Sequence, residues 1–339
     1  MGTLSIACTP GYAMIGMLAP LLVVSGRLLQ GFSAGVELGS VSVYLAEIAT
    51  PGHRGFYVSW QNASQQVAVV FAALLGVWLN SLLTPAQMDA WGWRIPLLVG
   101  CAIVPFLFLM RRSLAETGEF LARPRHQTHR EILQSLAANW RIVGLAIMLI
   151  AMSTSAFYLI TAYTPTFGRS VLKLTDFESL AVTVCVGISN FIWIPAAGAL
   201  SDRVGRRPIL FVTASLTLLT AYPSLDWLTG APSFGRLLGV ELWLSFVYAS
   251  FNGAMVVYLT ELIPAEVRAS GFSLAYSTAA AIFGGFTPAI CTYLIQLTGN
   301  RAAPGLWLSF TAAVGLTATF LAGRAPALSI KAKAYAEQL

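Results

Sequence analysis

Arg27, Gln30, Glu37 and Tyr44 are spaced by three and seven residues. At about 100° per residue this confines them to roughly a 100° arc of one helix. Ala34 and Val41 fall on the same face. A guanidinium, an amide and a carboxylate on one stripe have the chemistry to offset an anion's charge and exchange a proton, and they contain no nucleophile–base pair. Arg27 interrupts an apolar stretch, where a cation costs on the order of 3 kcal/mol or more, so it is read first as a functional residue. A structural pair with a carboxylate of a neighbouring helix is the plainer alternative. In the next apolar stretch Asn62, Gln65 and Gln66, preceded by Ser59 and Trp60, offer donors and acceptors suited to carboxylate and hydroxyl groups. Hydrogen bonding between helices would use the same atoms. Further polar stripes are Thr154, Tyr158 and Thr161; Asn190 and Trp193; and Ser245, Tyr248 and Asn252.

Chemistry of other kinds has no apparatus. There is no phosphate-binding glycine loop, and His53, His126 and His129 all lie in polar connections. Cys8, Cys101, Cys185 and Cys291 sit in apolar segments without CxxC spacing, so neither a disulfide framework nor a metal site is indicated. The reading is of a protein that is not an enzyme and takes no cofactor or metal.

The elements that hold these residues follow from composition. Of 339 residues, 57% are hydrophobic and only 10% charged, with a mean hydropathy of +0.72. Soluble domains carry about 25% charge. Apolar segments near 16–46, 57–83, 95–110, 142–168, 179–200, 209–228, 238–259, 271–298 and 305–322 are long enough to be membrane helices, and a short apolar stub precedes them. The net charge of +6 lies in clusters between these segments rather than along one helix face, which points to topology and not to nucleic acid. With the connection at 47–56 in the cytoplasm, that side carries fourteen Lys and Arg and the other side five. The excess predicts a cytoplasmic C-terminus.

Internal repetition divides the chain. The run from Tyr44 to Arg54 resembles the run from Tyr258 to Arg268, with Tyr, Leu, Glu and Arg recurring at a constant offset of 214. Glu47 and Arg54, with partners Glu261 and Arg268, fall at cytoplasmic helix ends and are assigned to a gate. The same offset puts the counterpart of Asp202-Arg203-Val204-Gly205-Arg206-Arg207 before Met1. The first repeat is therefore expected to lack its first two helices and part of its third, either through a start codon assigned too far downstream or through a true truncation. The expected organisation is 1–110 as the remainder of an N-terminal bundle, 111–141 as a cytoplasmic central loop, 142–323 as a C-terminal six-helix bundle and 324–339 as a cytoplasmic tail.

Gly198-Ala199-Leu200-Ser201-Asp202-Arg203-Val204-Gly205-Arg206-Arg207-Pro208 resembles the G-x-x-x-D-R-x-G-R-R-P loop of the major facilitator superfamily. Asp202 is expected to pair with an Arg and to receive helix N-terminal amides from a neighbour, latching the cytoplasmic side. Gly205 permits the turn, and Arg206 and Arg207 hold the loop in the cytoplasm. The run from Arg27 to Glu37, Trp91-Gly92-Trp93-Arg94-Ile95-Pro96 and the run from Arg111 to Thr117 resemble the metabolite:proton symporter family. Gly39 to Gly52, Asn139 to Ile142 and Tyr163 to Arg169 are most similar to its citrate- and tricarballylate-transporting members. The resemblance implies an all-α major facilitator fold of twelve helices, here lacking helices 1, 2 and part of 3. It implies a monomer in the bacterial inner membrane that takes up citrate with protons by alternating access. Tricarballylate or another di- or tricarboxylate is the alternative substrate, and a non-transporting truncated remnant the alternative fate. Arg27, Gln30, Glu37, Asn62, Gln65, Gln66, Tyr158, Thr161, Asn190 and Asn252 are the candidate substrate or proton-coupling residues. Gly31, Gly35 and Gly39 have spacing that favours close helix approach, and Gly284-Gly285 with Pro288 is expected to bend a late helix.

Overall fold

In lipid, backbone polar groups must be satisfied within the chain, which leaves helices or closed barrels. Here they are satisfied by helices. The computed structural model describes residues 2–111, 134, 136–264 and 267–323, and among these no strand occurs. The expected tail and most of the expected central loop lie outside the described residues. In the first block α1 (Gly2–Ala7) and α2 (Tyr12–Ile15) precede the long α3 (Leu18–Glu47) and α4 (Arg54–Leu82). Then α5 (Pro85–Gln87) and a π-helical turn (Met88–Gly92) lead into α6 (Arg94–Arg111). The second block holds α7 (Trp140–Phe157), a π turn (Tyr158–Tyr163), α8 (Thr164–Ser170), α9 (Asp176–Val204), α10 (Arg206–Gly230) and α11 (Phe234–Leu262). It ends with α12 (Arg268–Ala279), another π turn (Ala280–Gly285), α13 (Thr287–Thr298) and α14 (Ala303–Ala322).

Every expected apolar segment coincides with a helix, and among the described residues seven helical stretches are long and apolar enough to cross a membrane. Within α3, Leu18–Arg27 is a shorter apolar stretch. The helix ends follow local chemistry. Thr175 and Glu178 form a reciprocal capping box at the start of α9, and Gly205, at φ +94°, makes the turn into α10. Each π turn of the second block is followed within a few residues by a proline, Pro165 or Pro288, whose missing N–H and ring break the regular hydrogen-bond ladder. The expected bend at Gly284-Gly285 takes this form. The two π turns meet, with Ser155 Oγ donating to Phe283 O at 3.4 Å and Gly284 seated against the Tyr158 ring.

Two apolar cores fill the second block. One gathers Leu149, Met152, Leu210, Phe251, Met255 and Phe272. The other gathers Leu159, Ile160, Val182, Leu225, Leu237 and Leu244. Phe211, Leu219, Phe310 and Phe320 face outward, as a lipid-facing surface requires. Since lipid tails are as apolar as leucine, helix association depends on close approach and on interhelical hydrogen bonds. Glycine supplies the approach. The α4 and α9 helices run antiparallel along one another, from Gly55 against Gly198, through Val70 against Gly187, to Gly76 against Leu180. A Cβ on Gly198 would stand 2.5 Å from the Gly55 carbonyl, and one on Gly253 of α11 would stand 2.9 Å from the Gly198 nitrogen. Three helices thus converge at one level, and any side chain there would separate them.

Candidate functional site

The convergence of α4, α9 and α11 delivers charged groups to one end and amides to the middle. At the end, Asp202 on the last turn of α9 reaches the first turn of α4. Gly55 N donates to its Oδ1 at 2.8 Å and Phe56 N to its Oδ2 at 3.0 Å. These are orphan donors of a helix N-terminus, where the helix dipole favours an anion. Arg206, delivered by the Gly205 turn, donates from Nη1 to Asp202 Oδ1 at 2.7 Å and to Ser201 Oγ at 2.8 Å. Its Nε and Nη2 reach Glu261 Oε1 on α11 at 3.3 and 3.1 Å. One carboxylate therefore ties the first block to the second, and one guanidinium carries the tie to a third helix. The Asp202 side chain is 5% exposed and that of Glu261 36%, so the network passes from dry to wet along its length. Arg203 and Arg207 are exposed, with Arg207 beside Gly323. Glu47 closes α3, Arg54 opens α4, and Arg268 opens α12, donating from Nε to Ile263 O at 3.4 Å.

Deeper in the bundle the two blocks are joined by neutral side chains. Asn62 Nδ2 donates to Asn252 Oδ1, and Asn252 Nδ2 donates to Ser153 Oγ at 2.7 Å. One helical turn along α4, Gln66 Oε1 accepts from Asn190 Nδ2 at 3.2 Å, and Asn190 Oδ1 accepts from Ser245 Oγ at 2.8 Å. Gln66 Nε2 closes the ladder on Asn62 O at 3.4 Å. All six of these side chains are buried. The amides pair with one another because a buried polar group without a partner would cost more than the contact yields. Gln65, expected on the same face as Asn62 and Gln66, is only half-buried, while Gln61 is buried.

The Arg27 stripe stands apart from this ladder. Arg27 is exposed and donates from Nη1 to Gln30 Oε1 at 3.2 Å, and Gln30 Nε2 donates to Thr3 Oγ1 of α1 at 2.7 Å. Gly2 and Gly26 bring α1 and α3 together just beside it. Glu37 is exposed on the same helix. Among the described residues no hydrogen bond joins Arg27 to the amide ladder. Thr154 donates to Ile150 O at 3.0 Å and Thr161 to Phe157 O, so both hydroxyls turn back onto their own helix. Tyr158 packs on Gly284 and edge-on to Phe157.

Two charged side chains were given no role by sequence reasoning. Arg94 closes the C-terminal end of α1, donating from Nε to Ala7 O at 3.1 Å and from Nη2 to Thr9 O at 3.0 Å while lying over the Trp93 ring. Glu241 is a fully buried carboxyl in α11, and Thr164 Oγ1 stands 2.8 Å from its Oε1. Its signal was legible, since it is the one acidic residue inside the apolar segment 238–259.

Comparison with known proteins adds three findings. Residues 1–288 match the Major Facilitator Superfamily profile. The chain is 57% identical to the citrate-proton symporter of Klebsiella pneumoniae, over 97% of this chain and 74% of that one, and 57% identical to that of Salmonella typhi, over 94% and 73%. It is 34% identical to the alpha-ketoglutarate permease of Escherichia coli (strain K12), over 84% and 65%. Its fold is similar to a crystal structure of a double-Trp XylE mutant (TM-score 0.70, 18% identity, 94% and 76% covered) and to that of a D-xylose-proton symporter (0.60, 20%, 83% and 65%).

Proposed function

The chain belongs to the major facilitator superfamily, and from that premise we propose that it is a citrate-proton symporter of the bacterial inner membrane. It is a multi-pass membrane transporter and not an enzyme. The observation that carries the substrate is the 57% identity to two curated citrate-proton symporters across 94–97% of this chain. The similarity to an alpha-ketoglutarate permease favours di- and tricarboxylates as the wider class. The proton gradient drives transport, with no cofactor, and the working unit is a monomer with its C-terminus in the cytoplasm.

Citrate enters from outside into a cavity between the two bundles, 1–110 and 142–323. Arg27, supported by Gln30, offsets part of its charge, and Glu37 exchanges a proton. Gln65, Tyr158 and Thr161 supply neutral donors and acceptors to the cavity, and Asn62, Gln66, Asn190 and Asn252, bonded to one another across the two bundles, bound it and hold the bundles together as they rock. The Asp202, Arg206 and Glu261 network, with the Gly205 turn and the flanking Arg203, Arg207, Glu47, Arg54 and Arg268, forms the cytoplasmic gate. Opening that gate requires Asp202 to release the Gly55 and Phe56 amides, which lets the bundles rock and the substrate leave.

The test is labelled-citrate uptake by purified protein in proteoliposomes, with and without an inward proton gradient and with unlabelled tricarballylate as competitor. The expected outcome is gradient-dependent citrate accumulation. Uptake indifferent to the gradient contradicts the assignment. Arg27→Lys and Arg27→Gln are expected to abolish that uptake with normal membrane insertion, and undiminished uptake removes Arg27 from the site.

A further inference from the structure

Among the described residues, one buried side-chain polar atom lacks a hydrogen-bond partner, and it is Glu241 Oε2. The other oxygen, Oε1, stands 2.8 Å from Thr164 Oγ1, which in turn stands 3.2 Å from Leu159 O, a carbonyl in the π turn. Thr164 has a single hydroxyl hydrogen, and a carbonyl only accepts. If Glu241 were ionised, that hydrogen could serve the carboxylate or Leu159 O, not both. If Glu241 holds a proton, the chain closes: Glu241 O–H donates to Thr164 Oγ1, and Thr164 O–H donates to Leu159 O. A bare oxygen is also tolerable on a neutral acid and severe on a carboxylate removed from water.

Among the described residues no ion pair reaches Glu241. On α8 and α9, Arg169 pairs with Asp176 at the surface and Glu178 is held by Thr175. On α10, Asp226 is exposed and the Tyr222 hydroxyl meets Asn300. Tyr163 shares a hydrogen bond with Thr292, Lys173 is exposed, and Cys185 is half-buried. On α11 itself Arg236 lies over Trp227, and Tyr248 is buried two turns on. A cavity opens beside the residues that follow Thr164. Pro165 and Thr166, the residues after Thr164, line a cavity of about 470 Å³ with Asn80, Arg169 and Ser179, between α4 and α8–α9 at the end opposite Asp202.

Resting on the symport reading, we propose that Glu241 is a proton-carrying site of the second block. Its carboxylate takes a proton from the cavity beside Thr166, holds it while bonded to Thr164, and releases it when the π turn and α11 part. The acid thereby contributes to coupling from a helix that carries none of the Arg27 stripe.

Glu241→Gln keeps size and a donor while removing the exchangeable proton. In proteoliposomes it is expected to retain citrate counterflow without a gradient to within about twofold and to lose at least about tenfold of gradient-driven accumulation. Wild-type accumulation and an unchanged pH profile in this variant would overturn the proposal. Should the variant fail to insert, Glu241→Asp is expected to insert and to displace the pH profile of uptake, and an unmoved profile overturns the proposal equally. Infrared difference spectroscopy separates this inference from the symport itself. Wild-type protein at neutral pH is expected to show a protonated-carboxyl band that Glu241→Gln removes. Its absence overturns the proton site even where citrate transport is normal.

Discussion

The Asp202 end and the middle of the same three helices solve one problem in opposite ways. At the end, α4, α9 and α11 are tied by a carboxylate, a guanidinium and a second carboxylate, with Asp202 taking two helix amides as well. In the middle the same helices are tied by Asn62, Gln66, Asn190, Ser245 and Asn252, with no charge among them. The difference follows from water. An ion pair at a half-wet end holds firmly when made and can be solvated when broken, which suits a contact that must open. A charge in the dry middle would be costly whenever its partner left, whereas an amide loses much less. On the transport mechanism proposed above, charge marks the contact that moves and the neutral amides the pivot around which it moves.

That contrast can be broken by substitution. The largest effect is expected from Asp202→Ala, which removes the acceptor of both α4 amides and the partner of Arg206. Citrate uptake at matched membrane levels is expected to fall about tenfold or more, since bonds to charged groups contribute about 1.5–3 kcal/mol each. Near-normal uptake would mean that the Asp202 contact is not the latch. A smaller effect is expected in the middle. A double-mutant cycle on Asn62→Ala and Asn252→Ala, read by unfolding of the purified protein, should give a coupling of about 1 kcal/mol, in the range of hydrogen bonds between membrane helices. A coupling near zero would remove the amide ladder as the pivot. The smallest effect is expected from Glu261→Gln, where the lost ion pair is the most exposed of the network. Uptake should stay within about twofold of wild type, and the residual difference should shrink in high salt.

The helices themselves were legible because membrane helices must be long and apolar, so hydropathy alone marks their ends to within a few residues. Asp202 was legible for a different reason: its loop resembles the G-x-x-x-D-R-x-G-R-R-P loop of the superfamily, and a carboxylate at a helix end suits a neighbour's N-terminal amides. The partners of Asn62 and Gln66 were not legible. A buried amide accepts whatever helix stands opposite, and here that is Asn252 and Asn190, 190 and 124 residues away. Gln65 could not be separated from Gln66 for the same reason, since adjacent residues diverge by about 100° and only the position of α9 decides which is buried. Glu241 was visible as a lone carboxylate in an apolar run, but its meaning depends on Thr164 and on a π turn that hydropathy does not report.

Coupling is the central claim, and proton movement caused by citrate tests it most directly. In proteoliposomes without a preset gradient, adding citrate outside should raise the external pH as protons enter with it. A protonophore should abolish the signal, and Arg27→Gln protein should not produce it. Citrate entry with no accompanying pH change would contradict proton symport.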